Sequence, residues 1–281
     1  MVSSHGRFLW YELMTTDTKA AKAFYAKVMG WEPRDAAPGM AYTLFTVGGE
    51  AICGLTDLRD DARRAGAPPK WIGYVGVDDV DAAADQVKRL GGAVLVPPTS
   101  VPGISRVSVV ADPQQATLVL CKWLQPGEEK PPDPGAAGRV GWHELLAADW
   151  ERAFPFYGAL FGWQRADTDS EATSTYQQFS AGGQTIGGMY TKPASVPTPF
   201  WLYYFNSNDV DAAARRVTAG GGRILKGPIG VPGSGRVARC LDPQGAMFAL
   251  VGVRSSKPVG YFQPAAARDP AAGRIYVPKR T

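Results

Sequence analysis

The stretch Gly138-Arg139-Val140-Gly141-Trp142-His143-Glu144-Leu145-Leu146-Ala147-Ala148-Asp149, continued through Ala153, Phe156-Tyr157 and Gly162-Trp163, is the second copy of a pattern this chain has already used. Gly6, Arg7, Trp10, Glu12, Leu13, Asp17, Ala21, Phe24-Tyr25 and Gly30-Trp31 stand at the same spacing, so that Asp149 answers Asp17 132 residues earlier. A short period would mean a solenoid or propeller, but a period this long means a duplicated domain. The second half of each copy agrees. Trp201 answers Trp71, Tyr204 answers Tyr74, and Asp209-Val210-Asp211 answers Asp79-Val80-Asp81. Val231-Pro232-Gly233 with Arg236 answers Val101-Pro102-Gly103 with Arg106.

Within each copy the pattern reads as strand, helix and three strands, twice over. Phe8 to Met14 alternates bulky residues as a strand does. Asp17 caps a helix whose apolar face is Ala21, Phe24, Tyr25 and Val28, and Gly30 ends it. Tyr42 to Val47 and Ala51 to Leu55 form a hairpin across Gly48-Gly49. Residues 57–69, polar and ending in proline, read as a connecting loop. Trp71 to Val77 starts a second unit, with a helix after Asp78 or Asp79 carrying Val80, Ala83, Ala84, Val87 and Leu90 inward. Strands at 93–96, 107–110 and 117–123 complete it, with a turn at Asp112-Pro113. Pro155 in the first helix of the second copy removes one helical hydrogen bond and is expected to kink it. The expected fold is α+β: two tandem domains, each of paired βαβββ units on curved, partly open barrel-like sheets. The domains are 1–124 and 139–254, joined by a Pro/Gly-rich linker over 125–138 and followed by a tail over 255–281.

Composition narrows the function. A net charge of +4 over 281 residues, with no dense basic stripe, argues against a nucleic-acid partner. No apolar run is long enough to span a membrane, and the N-terminus lacks the basic start and apolar core of a signal peptide. Cys53, Cys121 and Cys240 lie in apolar strands at no metal or disulfide spacing, as reduced buried thiols of a cytoplasmic protein would. A monomer or homodimer is expected.

A strand, then Asp, then Phe-Tyr and Met/Phe-Gly-Trp, with Asp242-Pro243-Gln244-Gly245 before the last strand, resembles the vicinal oxygen chelate superfamily. That superfamily includes glyoxalase I, bleomycin-resistance proteins and extradiol dioxygenases. Trp-x-Glu-Leu with Phe-Gly-Trp further resembles a two-domain actinobacterial subgroup of glyoxalase-like proteins. The resemblance implies a trough on each sheet, with His, Gln or Glu metal ligands on the first and last strands of each unit. The positions that match are Trp10, Gly54, Ile72 and Val119 in the first copy and Trp142, Gly188, Leu202 and Ala249 in the second. None can ligate a metal through its side chain. The expectation is therefore no family metal site and no cofactor.

What the inward register offers is rings and carboxylates. Trp10, Trp142, Tyr74 and Tyr204 fall on it, Trp71, Trp201, Tyr203 and Phe205 lie near it, and Glu12 and Glu144 share the face of the two tryptophans. Such a cleft suits a flat or aromatic organic molecule. Against this, strand aromatics are commonly core, and a carboxylate repeated in both copies also suits a structural role. His143 is either a packed strand histidine or an acid-base group, and its counterpart Tyr11 does not share that chemistry. Arg106 and Arg236 offer either an anion contact or a salt bridge beside a turn. The leading expectation is a metal-free protein binding a small organic molecule, a drug or natural product. The alternatives are a metal-independent tailoring enzyme of secondary metabolism using Glu12, Glu144 or His143, or a metal-dependent lyase or dioxygenase with atypical ligands. A further alternative is a scaffold that docks a protein through its tail.

Overall fold

A computed structural model describes residues 4–37, 41–124, 135–166, 176–231 and 235–252. The expected tail and most of the expected linker lie outside the described residues. The first domain runs β1 (Phe8–Thr15), α1 (Thr18–Met29), β2 (Glu32–Asp35), β3 (Tyr42–Val47), β4 (Glu50–Asp57), α2 (Asp60–Arg64), β5 (Lys70–Gly76), α3 (Val80–Arg89), β6 (Ala93–Val101), β7 (Ser105–Ala111) and β8 (Thr117–Trp123). The second runs β9 (Val140–Ala147), α4 (Trp150–Phe161), β10 (Gln164–Arg165), β11 (Tyr176–Ala181), β12 (Gln184–Thr191), β13 (Phe200–Ser207), α5 (Val210–Ala219), β14 (Arg223–Val231), β15 (Gly235–Leu241) and β16 (Met247–Gly252).

Each domain builds one eight-stranded open sheet, ordered β2-β3-β4-β1-β5-β8-β7-β6 and β10-β11-β12-β9-β13-β16-β15-β14. The first strands of the two βαβββ units meet antiparallel at the centre (β1 with β5, β9 with β13). Each then pairs parallel with the last strand of its own unit. That parallel step is the reason for the intervening helix, since a parallel return needs a crossover. All four long helices start on an aspartate, Asp17, Asp79, Asp149 or Asp209, whose side chain accepts a first-turn amide. Gly30 and Gly162 end their helices in left-handed geometry that glycine adopts without a Cβ clash.

Two details add to what the sequence predicts. The strand that follows the first helix in each domain, counted in the βαβββ pattern but not located by it, is the edge strand β2 or β10, whose residues are exposed throughout, so no apolar alternation marks it. The segment taken as a loop after Asp57 contains α2, a five-residue helix with Asp60 and Asp61 in its first turn and Arg63 and Arg64 in its last, charges that suit the helix dipole. α4, with Pro155 inside it, spans twelve residues, the same length as α1.

The helices and one face of each sheet bury a single apolar core that crosses from one domain to the other. Many repeated residues turn out to be the stitches of this seam, each made twice with the domains exchanged. The Tyr25 hydroxyl donates to Asp242 and Tyr157 donates to Asp112. The Trp31 indole donates to the Gly138 carbonyl (3.1 Å) and Trp163 to that of Gly6 (2.6 Å). At the pseudo-twofold centre Tyr11 meets its own repeat counterpart, its hydroxyl 2.6 Å from His143 Nε2. The two therefore do share a task, contrary to the sequence reading. No helix among the described residues is long and apolar enough to cross a membrane. All three cysteines are free and buried.

Candidate functional site

Side chains alternate across a strand, and the register places Trp10, Glu12 and Met14 of β1 opposite Tyr74, Ile72 and Lys70 of β5. Glu12 is also level with Gly54 of β4, and Tyr74 with Val119 of β8. These residues form the face away from the helices, a trough. A register shift between Phe8 and Trp10 turns Phe8 to the opposite face. There its ring stacks on His143 at 3.9 Å.

Several expected site residues are not in the trough. Trp71 and Trp201 are core residues whose indoles donate to Tyr25 and Tyr157 at the seam. Tyr203 and Phe205 lie in the same core. Arg106 grips Asp81 through two hydrogen bonds of 2.6 and 2.7 Å. Arg236 pairs with Asp211. Both arginines hold a hairpin to a helix start, and nothing turns them towards the rings. His143 is buried at the seam, with Nδ1 2.6 Å from the Ile186 carbonyl and Nε2 facing Tyr11. Burial, only partly offset by the Ile186 contact, pushes its pKa down to about 4. It is a neutral joint between domains and reaches neither trough.

Trp10, Glu12, Tyr74, Trp142, Glu144 and Tyr204 are brought together in their two troughs, together with residues the sequence reading passed over. Tyr42 and Tyr176 lie across the sheet over Gly54 and Gly188, where any Cβ would collide with the tyrosine ring. One of the four positions per copy that the resemblance marks for metal ligands is thus a glycine, which leaves room for a tyrosine ring against the backbone. Trp10 donates to the Tyr42 hydroxyl (3.1 Å), and Trp142 to that of Tyr176 (2.9 Å). The signal was present in the sequence: Tyr42 precedes Gly54 by the same interval as Tyr176 precedes Gly188.

The two troughs then diverge. In the C-terminal one Trp142, Tyr176, Leu202, Tyr204 and Ala249 pack into a closed apolar cluster. Glu144 is fully buried there and pairs at 2.7 Å with Arg239. Tyr204 donates to the same carboxylate oxygen (2.7 Å), and Arg239 also reaches Tyr190 (2.8 Å). Burial opposes the Arg239 charge, but the Glu144 carboxylate together with Tyr204 and Tyr190 outweighs it and holds the guanidinium's pKa up. Arg239 and Tyr204 both meet Glu144 Oε2, and its buried Oε1 has no hydrogen-bond partner among the described residues.

The N-terminal trough keeps the ring frame and lacks the plug. Trp10, Glu12, Tyr42 and Tyr74 are all only partly buried. Val109 stands level with Val119 as Arg239 stands level with Ala249, so a methyl pair replaces the guanidinium. Thr56 stands opposite Tyr42 as Tyr190 stands opposite Tyr176. At the rim Val101 is 37% exposed, whereas its counterpart Val231 is 7% exposed and packed into the closed cluster. Burial raises the Glu12 pKa, with hydrogen bonds from Tyr42 and Tyr74 pulling the other way. Lys70, where the other copy has Phe200, turns its amine to Thr117 Oγ1 (3.0 Å), and burial lowers its pKa.

A divalent ion needs several N or O donors converging. Glu12 has two phenols, an indole and hydrocarbon around it, and among the described residues no three His, Cys, Asp or Glu side chains cluster as a metal site would require. The residues do not fit the metal that the fold resemblance implies. A groove of about 250 Å³ at the domain seam, lined by Val28, Gly138, Asp209 and Arg216 among others, presents no ring, and Arg216 there is already bonded to the Val28 carbonyl. The open trough is the stronger candidate.

Comparison with family models matches residues 7–120 and 139–250 to the Glyoxalase/Bleomycin resistance protein/Dioxygenase superfamily. The chain is 34% identical over 245 residues to "Putative glyoxylase CFP32" of Mycobacterium tuberculosis, covering 86% of this chain and 93% of the relative. It is 30% identical over 261 residues to "Anthracycline biosynthesis protein DnrV" of Streptomyces peucetius, covering 89% and 94%. Among solved structures it is similar to the Mn(II)-bound glyoxalase of Novosphingobium aromaticivorans, with a TM-score of 0.60, 16% identity, and 90% and 84% coverage. It is also similar to homoprotocatechuate 2,3-dioxygenase of Brevibacterium fuscum, with a TM-score of 0.62, 17% identity, and 90% and 81% coverage. At such identities the structural matches speak for the fold alone.

Proposed function

Because the chain belongs to the Glyoxalase/Bleomycin resistance protein/Dioxygenase superfamily, we propose a function that uses this fold without its metal: binding of a flat, aromatic organic molecule in the N-terminal trough. The observation that carries the reading is the asymmetry between the copies. One trough is packed shut by Arg239, Glu144 and Tyr204, while the other leaves Trp10, Tyr42 and Tyr74 partly exposed around Glu12. A cleft of rings with one or two polar groups suits a planar ligand, which the indole can stack upon. A relative named for anthracycline biosynthesis supports a fused-ring ligand class.

The test is tryptophan fluorescence on titration with planar polycyclic compounds, in the wild type, Trp10→Phe and Trp142→Phe. Quenching that disappears in Trp10→Phe and persists in Trp142→Phe is the expected result. Quenching indifferent to Trp10 would overturn the assignment.

Glu12 itself favours a second reading. A partly buried carboxylate whose pKa is raised by burial is a stronger base than a solvated one and is suited to accept a proton from a bound substrate. A binder returns its ligand unchanged; an enzyme converts it and loses turnover in Glu12→Gln while Trp10-dependent binding survives.

A further inference from the structure

The C-terminal copy serves as an internal template for what the N-terminal copy lacks. In both, a glutamate sits mid-trough beside a tryptophan and two tyrosines. In the filled copy its partner is a cation: Arg239 Nη2 lies 2.7 Å from Glu144. In the open copy the same register position is Val109, and the polar partners of Glu12 among the described residues are the phenols of Tyr42 and Tyr74. Lys70 shares the strand face but is turned to Thr117, and no ion pair joins it to Glu12 among the described residues. We propose that the N-terminal trough selects flat ring systems that carry a protonated amine, with Glu12 as the counter-ion in the place that Arg239 fills for Glu144. The inference rests on the binding reading above and adds the charge of the ligand.

Three physical points support it. A carboxylate drawn out of water is costly unless a cation or several donors attend it; Glu12 has two phenols but, among the described residues, no cation, where its twin has Arg239. An ammonium there would gain a charge-assisted hydrogen bond. The faces of Trp10, Tyr42 and Tyr74 around it are favourable ground for a cation as well as for a ring. Replacement of Arg239 by valine and of Tyr190 by threonine makes the room that such a group would occupy.

The experiment compares three anthraquinones of one ring size: 2-(aminomethyl)anthraquinone, 2-methylanthraquinone and anthraquinone-2-carboxylate. Dissociation constants are read by tryptophan quenching at neutral pH in the full chain, in Glu12→Gln and in Val109→Arg. The ammonium compound is expected to bind at least about tenfold tighter than the methyl compound. Glu12→Gln should shrink that preference to about threefold or less, and Val109→Arg, which supplies the missing guanidinium internally, should abolish it. Equal affinities in the wild type, tightest binding of the carboxylate, or a preference that survives Glu12→Gln would overturn the charge assignment while leaving Trp10-dependent binding intact. Failure of all three to bind, or binding indifferent to Trp10→Phe, would overturn the binding reading itself and this inference with it.

Discussion

Replacing Arg239 by methionine tests the claim that the C-terminal trough is a closed structural unit. Glu144 has no exposed surface, whereas the Arg239 side chain is 21% exposed. Arg239→Met keeps a side chain of similar length but strands a carboxylate that water cannot reach, leaving Tyr204 as its hydrogen-bond donor. Breaking a buried pair in this way costs about 3–5 kcal/mol. At about 2–4 °C per kcal/mol for a chain of this size class, the melting temperature should fall by roughly 6–20 °C. Glu144→Gln should cost less, about 1–3 kcal/mol, because the stranded guanidinium can still meet solvent. The double variant Glu144→Gln/Arg239→Met should be milder than Arg239→Met alone, since neither charge is left behind. The assay is urea or thermal unfolding followed by circular dichroism, all variants at one pH and salt. A loss below about 1 kcal/mol in Arg239→Met, or a double variant as unstable as the single, would refute the reasoning.

Glu12→Gln carries the opposite expectation. Burial raises the folded-state pKa of Glu12, so its contribution to stability is lost as pH rises from the unfolded carboxylate value through the folded one. The variant should therefore equal the wild type in acid and match or exceed it at neutral pH; a loss at neutral pH would contradict this. The groups facing Glu12 are Tyr42 from β3, Tyr74 from β5 and, one step along, Lys70. For His143 the folded pKa is depressed to about 4, so the unfolded chain takes up the proton first. Stability should fall between about pH 6.5 and 4 by about 3 kcal/mol, a slope that His143→Gln should flatten in acid unfolding curves. Gly54→Ala should destabilise by about 1–3 kcal/mol and weaken ligand binding, because its Cβ collides with the Tyr42 ring; unchanged binding would mean the ring is free to move. Gln115 holds a φ of 79° where the matching turn residue is Gly245, so Gln115→Gly should stabilise by up to about 1 kcal/mol in the same unfolding assay.

The duplication, the order of the core strands and long helices, and the aspartate caps were legible in the sequence. Each rests on local spacing: a repeat interval, a period of two or of three to four, or a residue type at a matched place. The edge strands were not, because exposed residues leave no apolar period. Nor could spacing tell which rings face the trough. Trp10 and Trp71 both sit on alternating strands, yet one lines the open face and the other donates to Tyr25 in the core. Face is set by pairing and by a one-residue bulge beside Trp10, which only the assembled sheet reveals. The decisive contacts join residues far apart in the chain. Tyr11 meets His143, Tyr25 meets Asp242, and Arg239 closes on Glu144 from the far side of its sheet. Two nearly identical motifs thus became one filled trough and one open trough. That difference depends on which side chain reaches across from a strand about a hundred residues away, and no local pattern in the sequence records it.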